Sequence, residues 1–190
     1  MVSSQGRNVV LLMAAGLLFG LVGSLVQVGG VPLPYFFLQN NSLVYNGAYW
    51  QLFTSMIVAP PLFLAIADVM FNAFAILWLD RILSSAYAPA AYYATFLLSG
   101  VAGNIVSLAA GPLLSSFGAS GGIFGLLAGA LTEDFVTEKR LDYSLLIWFL
   151  MLFVFSSFLL PQTNWLAHLG GTICGASVGY CLGRRVPRTP

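Results

Sequence analysis

The amino-acid sequence predicts an all-α protein that crosses a membrane several times and forms one domain over residues 1–190. Of its 190 residues, 59% are hydrophobic and only 7% are charged. A soluble domain carries about a quarter charged residues, so this chain could not cover a surface that faces water. Six apolar segments also approach the ~20 residues that cross the hydrocarbon core of a bilayer as a helix.

The six apolar segments are predicted to form a bundle of membrane-spanning helices. They cover residues 9–28, 61–80, 89–110, 119–132, 143–160 and 165–183. The first is too long for the core of a signal peptide, so we expect it to remain as the first span. The fourth is short, and Gly111, Pro112 and two serines precede it, which predicts an irregular loop. At membrane depth such a loop is tolerated only inside protein or beside a wet cavity, so it indicates a site.

The basic residues predict the orientation of the bundle. If all six segments cross, the seven Lys and Arg residues fall on one side of the membrane. They are Arg7, Arg81, Lys139, Arg140, Arg184, Arg185 and Arg188. Because basic loops stay in the cytoplasm, we expect both termini there. We therefore expect a multi-pass integral protein, with the cell (plasma) membrane as its place.

The long connection over residues 29–60 would then be an outer loop between the first two helices. Its aromatic residues include Tyr35, Phe36, Phe37, Tyr45, Tyr49 and Trp50. One interpretation is a belt of aromatic side chains at the membrane interface. The other is a loop that lies partly in the membrane surface beside an active site, and the two are compatible.

Composition argues against several classes of function. Seven basic residues without a cluster do not form the concentrated basic face that nucleic-acid binding needs. No internal sequence repeat is evident, which argues against a transporter built from inverted repeats. Six acidic residues and one histidine offer no set of metal ligands within the spans, so we expect no metal or organic cofactor.

Polar residues inside the predicted spans are few, and ionisable ones at membrane depth are functional candidates. The single histidine, His168, lies near the outer end of the sixth segment. Asp68 and Asn72 are four residues apart in the second segment and so share a helix face. The fourth segment opens with Gly-Ala-Ser-Gly-Gly at residues 118–122. This satisfies the G-x-S-x-G of soluble α/β-hydrolases, but the chain lacks the strand–helix alternation of that fold.

Ser120 and His168 are predicted to lie at similar depth. From Ser120 to the inner charge at Glu133 a helix rises ~20 Å, and from His168 to Arg184 it rises ~24 Å. Small residues at four-residue intervals also let two helix backbones approach closely, as a Ser–His hydrogen bond requires. They are Gly121, Gly125 and Gly129 in the fourth segment and Gly171, Gly175, Gly179 and Gly183 in the sixth.

With these motifs the sequence resembles the rhomboid intramembrane serine proteases, whose core is a six-helix bundle. Residues 118–121 match the family's G-x-S-G, and the resemblance implies Ser120 as nucleophile. His168, Gly171 and Gly175 match its H-x-x-G-x-x-x-G, which implies His168 as the base of a Ser–His dyad.

Two further matches extend the resemblance from residue 50 to residue 183. Asn72, preceded by phenylalanine, matches the family's asparagine, which implies that it stabilises the oxyanion together with the backbone N–H of Ser120. Residues 50–54 (Trp-Gln-Leu-Phe-Thr) resemble the W-R-x-x-T stretch that ends the first outer loop.

Three positions depart from the family pattern. Asp68 stands where the family usually has histidine, so it must be protonated, turned away or salt-bridged beside an oxyanion. A protonated Asp68 could donate a hydrogen bond as that histidine would. Gln51 replaces the arginine of W-R and leaves the support of the outer loop open. Phe124 stands where tyrosine is frequent, and it can stack on His168 without offering a hydroxyl.

The conjunction of motifs predicts a serine endopeptidase that cuts transmembrane proteins in the outer part of the lipid bilayer. Serine, histidine and asparagine in membrane helices also serve simply as packing or hydrogen-bonding residues. The alternative is a catalytically weak or inactive rhomboid-like protein that binds or escorts membrane clients, as the departures at Asp68 and Gln51 allow. Asp68 has the further alternative of a structural pair with Asn72.

Overall fold

The computed structural model describes residues 2–159 and 163–185, so Arg188 and the end of the predicted fifth segment lie outside the described part. Its helices are α1 (Ser4–Gly23), α2 (Asn41–Tyr45), α3 (Gln51–Thr54), α4 (Phe63–Ala86), α5 (Pro89–Val106), α6 (Ser120–Glu138), α7 (Tyr143–Val154) and α8 (Trp165–Gly183). A 3-10 turn at Ser107–Ala110 extends α5, and a π-helical turn at Phe155–Leu159 extends α7. Two antiparallel pairs of short strands join β1 (Gln27–Val28) to β2 (Val31–Pro32) and β3 (Gln39–Asn40) to β4 (Ser115–Ser116).

Helix α1 begins and ends five residues earlier than the predicted segment 9–28. The Ser3 side chain accepts a hydrogen bond from the N–H of Gly6 (3.0 Å), which caps the helix upstream of the apolar run. Beyond α1 the chain forms the β1–β2 hairpin, whose turn at residues 29–30 has φ values of +61 and +82 that favour glycine. The prediction that residues 24–28 continue the span was therefore wrong, because an apolar run alone does not distinguish helix from strand.

Two other helices continue past their predicted ends because polar residues remain helical. Helix α4 runs six residues beyond residue 80, through Asp80 and Arg81. Asp80 is buried, and its carboxyl group accepts hydrogen bonds from the N–H and Oγ of Ser3 (2.5 Å each) at the start of α1. Helix α6 runs six residues beyond the predicted end at residue 132, so the prediction of a short fourth helix was wrong.

Apolar helices of membrane-spanning length occur within residues 2–159 and 163–185. By length and composition three could cross a membrane, namely α1, α4 and α5 with its 3-10 turn. A shorter apolar helix covers Tyr143–Phe158, which is α7 with part of its π-helical turn. These features fit the predicted all-α membrane protein, and the count of six spans stays a prediction.

Helix α6 is the central element of the bundle. Residues 121–131 are all buried, and α4, α5, α7 and α8 pack against it. The contact with α8 runs from glycine to glycine, so that a Cβ on each α8 glycine would overlap the carbonyl oxygen of its α6 partner. The facing pairs are Gly121–Gly171, Gly125–Gly175 and Gly129–Gly179. Backbone-to-backbone packing of this kind is favoured in membranes, where lipid tails are as apolar as large side chains.

We predict that Gly175→Ala destabilises the bundle and that Ser177→Ala, on the exposed face of the same helix, does not. A methyl group on Gly175 would overlap the carbonyl of Gly125, and such overpacking costs about 1–3 kcal/mol. Ser177 is exposed, so its truncation alters no contact with α6. The measurement is the free energy of unfolding in detergent micelles. Equal values for Gly175→Ala and wild type would contradict the packing.

Candidate active site

A glycine turn places Ser120 at the first position of α6. Gly118 has a φ of +122, in the region that favours glycine, and its N–H donates to the carbonyl of Ser55 (2.9 Å). The buried Ala119 follows, and the helix begins at the next residue. Because the first N–H groups of a helix have no acceptor within it, the N–H of Ser120 belongs to an end of α6 that attracts negative charge.

His168 lies in the first turn of α8, where its ring meets Ser120. The Asn164 side chain caps this helix by accepting a hydrogen bond from the N–H of Ala167 (3.2 Å). His168 is 2% exposed, and its Nε2 lies 2.8 Å from Ser120 Oγ. The structure therefore brings together, within hydrogen-bond distance, the two residues that the sequence placed at similar depth.

Aromatic rings fix the orientation of the His168 ring. The Phe124 ring lies 4.6 Å from it between centroids, tilted by 49°, so the contact expected from the sequence is present. The Phe153 ring lies 6.2 Å from His168 and 5.2 Å from Phe124. Rings at these distances pack favourably edge to face or tilted, and they restrict rotation of the imidazole.

Asp68 and Asn72 form a pair one helical turn apart on α4. The Asn72 Nδ2 donates a hydrogen bond to Asp68 Oδ2 (2.9 Å), and Asn72 is only 2% exposed. A Cβ on Gly118 would lie 3.0 Å from the same oxygen of Asp68, which places this carboxyl group beside the turn that precedes Ser120. The carboxyl group of Asp68 therefore lies next to the turn that precedes Ser120, and Asn72 contacts that carboxyl group.

Two cavities meet this part of α4. The larger, about 350 Å³, is lined by Ser120, His168, Asp68 and Asn164 among its polar residues. The smaller, about 10 Å³, lies against Asp68 and Asn72 and has room for about one water molecule. Asp68 lines both cavities, whereas Asn72 lines only the smaller one.

The sequence did not predict Ser157, which contacts the other ring nitrogen of His168. Its Oγ lies 2.7 Å from His168 Nδ1, and the residue is 7% exposed. It belongs to the π-helical turn that follows α7. The signal in the sequence was the polar pair at residues 156–157, which interrupts an otherwise apolar segment eleven residues before the histidine.

Hydrogen bonds from Gln51 support the long connection between α1 and α4. Gln51 is 1% exposed, its Oε1 accepts from the N–H of Asn40 (2.9 Å), and its Nε2 donates to the carbonyl of Phe36 (3.2 Å). Trp50 Nε1 donates to the same carbonyl (3.0 Å), and Thr54 Oγ1 donates to the next one (2.7 Å). The glutamine therefore anchors the loop where the family pattern has arginine. Through β3 and β4 this loop also pairs with the segment that leads to the site.

Comparison with known proteins identifies the family. The model of the rhomboid domain matches residues 46–185, and the chain therefore belongs to the rhomboid family. It is 27% identical over 148 residues to rhomboid protease GluP of Bacillus subtilis (strain 168), which covers 76% of this chain and 28% of that protein. It is 29% identical over 129 residues to rhomboid-like protease 3 of Toxoplasma gondii, which covers 64% of this chain and 49% of that protein.

Family membership confirms the resemblance seen in the sequence. The chain spans less than half the length of each of these two relatives. Together with the apolar helices, membership indicates an integral membrane protein.

Proposed function

We propose that this chain is an intramembrane serine endopeptidase that cleaves transmembrane proteins in the outer part of the bilayer. The observation that carries the proposal is the 2.8 Å approach of His168 Nε2 to Ser120 Oγ. The pair lines a cavity of about 350 Å³, large enough to admit a segment of unwound peptide. The similarity of the chain to two proteins named as proteases supports the proposal further.

The chemistry follows from the two hydrogen-bonded side chains. His168 Nε2 takes the proton of the Ser120 hydroxyl while Oγ bonds to the substrate carbonyl carbon. The tetrahedral intermediate then expels the amine, which takes the proton from Nε2, and an acyl-enzyme remains. Water enters, gives one proton to Nε2 and attacks the acyl carbon. Collapse of this second intermediate breaks the bond between that carbon and Oγ, Oγ takes the proton from Nε2, and the carboxylic acid is released.

Oxyanion stabilisation is assigned first to the N–H of Ser120, at the N-terminus of α6. Asn72 holds Asp68 through its amide, and Asp68 borders the cavity that the substrate would enter. A protonated Asp68 would donate to the oxyanion, whereas an ionised one would repel it. Asn72 would then stabilise the oxyanion in one of two ways. It would hold Asp68 in place, or its side chain would rotate away from Asp68 and donate to the oxyanion directly. Gly118, Gly121, Gly171 and Gly175 support the site by allowing close backbone approach, and Phe124 packs the histidine.

The membrane arrangement we propose has six spans in a single domain, with both termini in the cytoplasm of a cell-membrane protein. The six long helices α1, α4, α5, α6, α7 and α8 are its spans. All seven basic residues then fall on the inner side. Ser120 and His168 lie in the first turns of α6 and α8, at the opposite end of the bundle, so the cavity opens toward the outer side. A substrate helix must unwind locally there, because hydrogen bonds hide the carbonyl groups of an intact helix.

A second function, binding or escort of membrane clients without cleavage, is favoured by one observation. The carboxyl group of Asp68 stands beside the turn that precedes Ser120, where the family usually has histidine. An ionised group there would oppose the negative charge of the transition state. The two functions differ in whether any product depends on Ser120.

We predict that the purified protein cleaves a model transmembrane substrate in proteoliposomes and that Ser120→Ala does not. Loss of the nucleophile should lower the rate by about 10³-fold or more, as in soluble serine proteases. Product bands resolved by electrophoresis and mass spectrometry measure the rate and the cleaved bond. Ser177→Ala, which alters an exposed serine, serves as the matched control. Cleavage by Ser120→Ala at the wild-type rate, or by neither protein, would overturn the protease proposal.

We predict that Asp68→Asn changes the pH dependence of cleavage. As the pH rises, Asp68 loses its proton and the ionised group repels the oxyanion. The kcat/KM of wild type should therefore fall on the alkaline side of its pH profile. The asparagine cannot ionise and still offers an N–H donor, so its profile should stay level there. His168 also faces the cavity, and its protonation governs the acidic side of both profiles. Superimposable profiles would remove Asp68 from the mechanism, and Asp134→Asn at the far end of α6 serves as the control.

A further inference from the structure

We propose that Ser157 is a positioning residue that holds His168 in the tautomer needed for catalysis. The inference rests on the proposed function, because it assigns a role within the same reaction. It extends the Ser–His pair to a chain of three side chains, Ser120, His168 and Ser157. Neither the family motifs nor the sequence resemblance assigned a role to the third.

The geometry places one serine on each nitrogen of the imidazole. Ser120 Oγ lies 2.8 Å from Nε2 of His168, and Ser157 Oγ lies 2.7 Å from Nδ1. The rings of Phe124 and Phe153 cover other parts of the imidazole. Among the described residues, Ser157 thus supplies a hydroxyl group within hydrogen-bond distance of His168 Nδ1.

The chemistry requires opposite roles for the two nitrogens. To take the proton of Ser120, Nε2 must be unprotonated, so neutral His168 carries its proton on Nδ1. That N–H then donates to Ser157 Oγ. A hydroxyl can accept as well as donate, so Ser157 Oγ offers Nδ1–H an acceptor in the neutral ring and keeps it when the ring becomes an imidazolium. Removal of the Ser157 hydroxyl would take this acceptor away from Nδ1–H, which favours a turned ring or the other tautomer.

The local backbone supports a dedicated role for this serine. Ser157 lies in the π-helical turn Phe155–Leu159, and such turns are rare and often occur at functional sites. Its neighbour Ser156 is equally buried, at 4% exposed against 7%, yet Ser156 Oγ has no hydrogen-bond partner within the described part of the chain. The two adjacent serines are thus similarly buried, and Ser157 contacts His168 whereas Ser156 does not. Ser156 is therefore a matched control.

Kinetics of the full chain in proteoliposomes form the first arm of the test. For Ser157→Ala we expect kcat to fall about 10- to 100-fold, less than the ~10⁴-fold loss when a charged orienting carboxylate is removed from a soluble triad. KM should stay unchanged, because Ser157 does not line the large cavity. Ser157→Thr keeps the hydroxyl and should recover most of kcat, and Ser156→Ala should match wild type. Equal losses in Ser157→Ala and Ser156→Ala would overturn the proposal.

Nitrogen NMR forms the second arm and does not depend on cleavage. His168 is the single histidine, so ¹⁵N-histidine labelling yields one pair of ring-nitrogen signals. In wild type at a pH where the ring is neutral, we expect Nδ1 to carry the proton. In Ser157→Ala we expect a mixture of tautomers or the reversed one, and in Ser156→Ala the wild-type pattern. A Ser157→Ala spectrum identical to wild type would overturn the proposal.

The two arms separate failure of this inference from failure of the proposed function. If wild type cleaves no substrate, the protease proposal fails, and the NMR comparison still decides whether Ser157 sets the tautomer. If wild type cleaves and Ser157→Ala retains both kcat and the wild-type tautomer, only the role of Ser157 is lost.

Discussion

The backbone contact between α6 and α8 is the constraint on which the site depends. Gly125 and Gly175 face each other at backbone contact, and so do the glycine pairs one turn before and one turn after them. No side chain fits between the two helices at these three positions. This spacing brings the first turns of the two helices together, and the 2.8 Å approach of Ser120 to His168 follows from it. In lipid the hydrophobic effect does not drive helices together, so small residues and close van der Waals contact supply the association. The glycines are therefore part of the site, although none carries a functional group.

A second constraint is that irregular backbone at this depth must find hydrogen-bond partners inside the protein. Buried amide side chains meet it in the described structure. Asn41 Nδ2 donates to the carbonyls of Ser107 (3.0 Å) and Gly111 (2.9 Å), in the segment that follows α5. Asn104 Nδ2 in turn donates to Ser55 Oγ (3.0 Å), and the Ser55 carbonyl accepts from the turn before the nucleophile. The connection between α1 and α4 is thereby joined to the turn that positions Ser120.

The helices and the approach of Ser120 to His168 could be predicted from the sequence. The spacing of the glycines and the number of residues between each side chain and the nearest charge are read directly along the chain. The end of α1 was mispredicted because apolar residues also suit the β1–β2 hairpin, and α6 was predicted too short because polar residues were taken as its end. Ser157 was missed because its contact depends on a π-helical turn, which leaves no periodic signal. The pairing of Asp68 with Asn72 was anticipated as an alternative, but their positions relative to the cavity depend on packing between helices.

Covalent capture of Ser120 reports whether His168 activates this serine. A fluorophosphonate forms an Oγ–P bond with an activated serine and releases fluoride, so intact mass and peptide mapping report its site. We expect wild type to be modified at Ser120 and His168→Ala to react at least about 10²-fold more slowly, which is the scale of general-base catalysis. No modification of Ser120, or equal rates in wild type and His168→Ala, would contradict it.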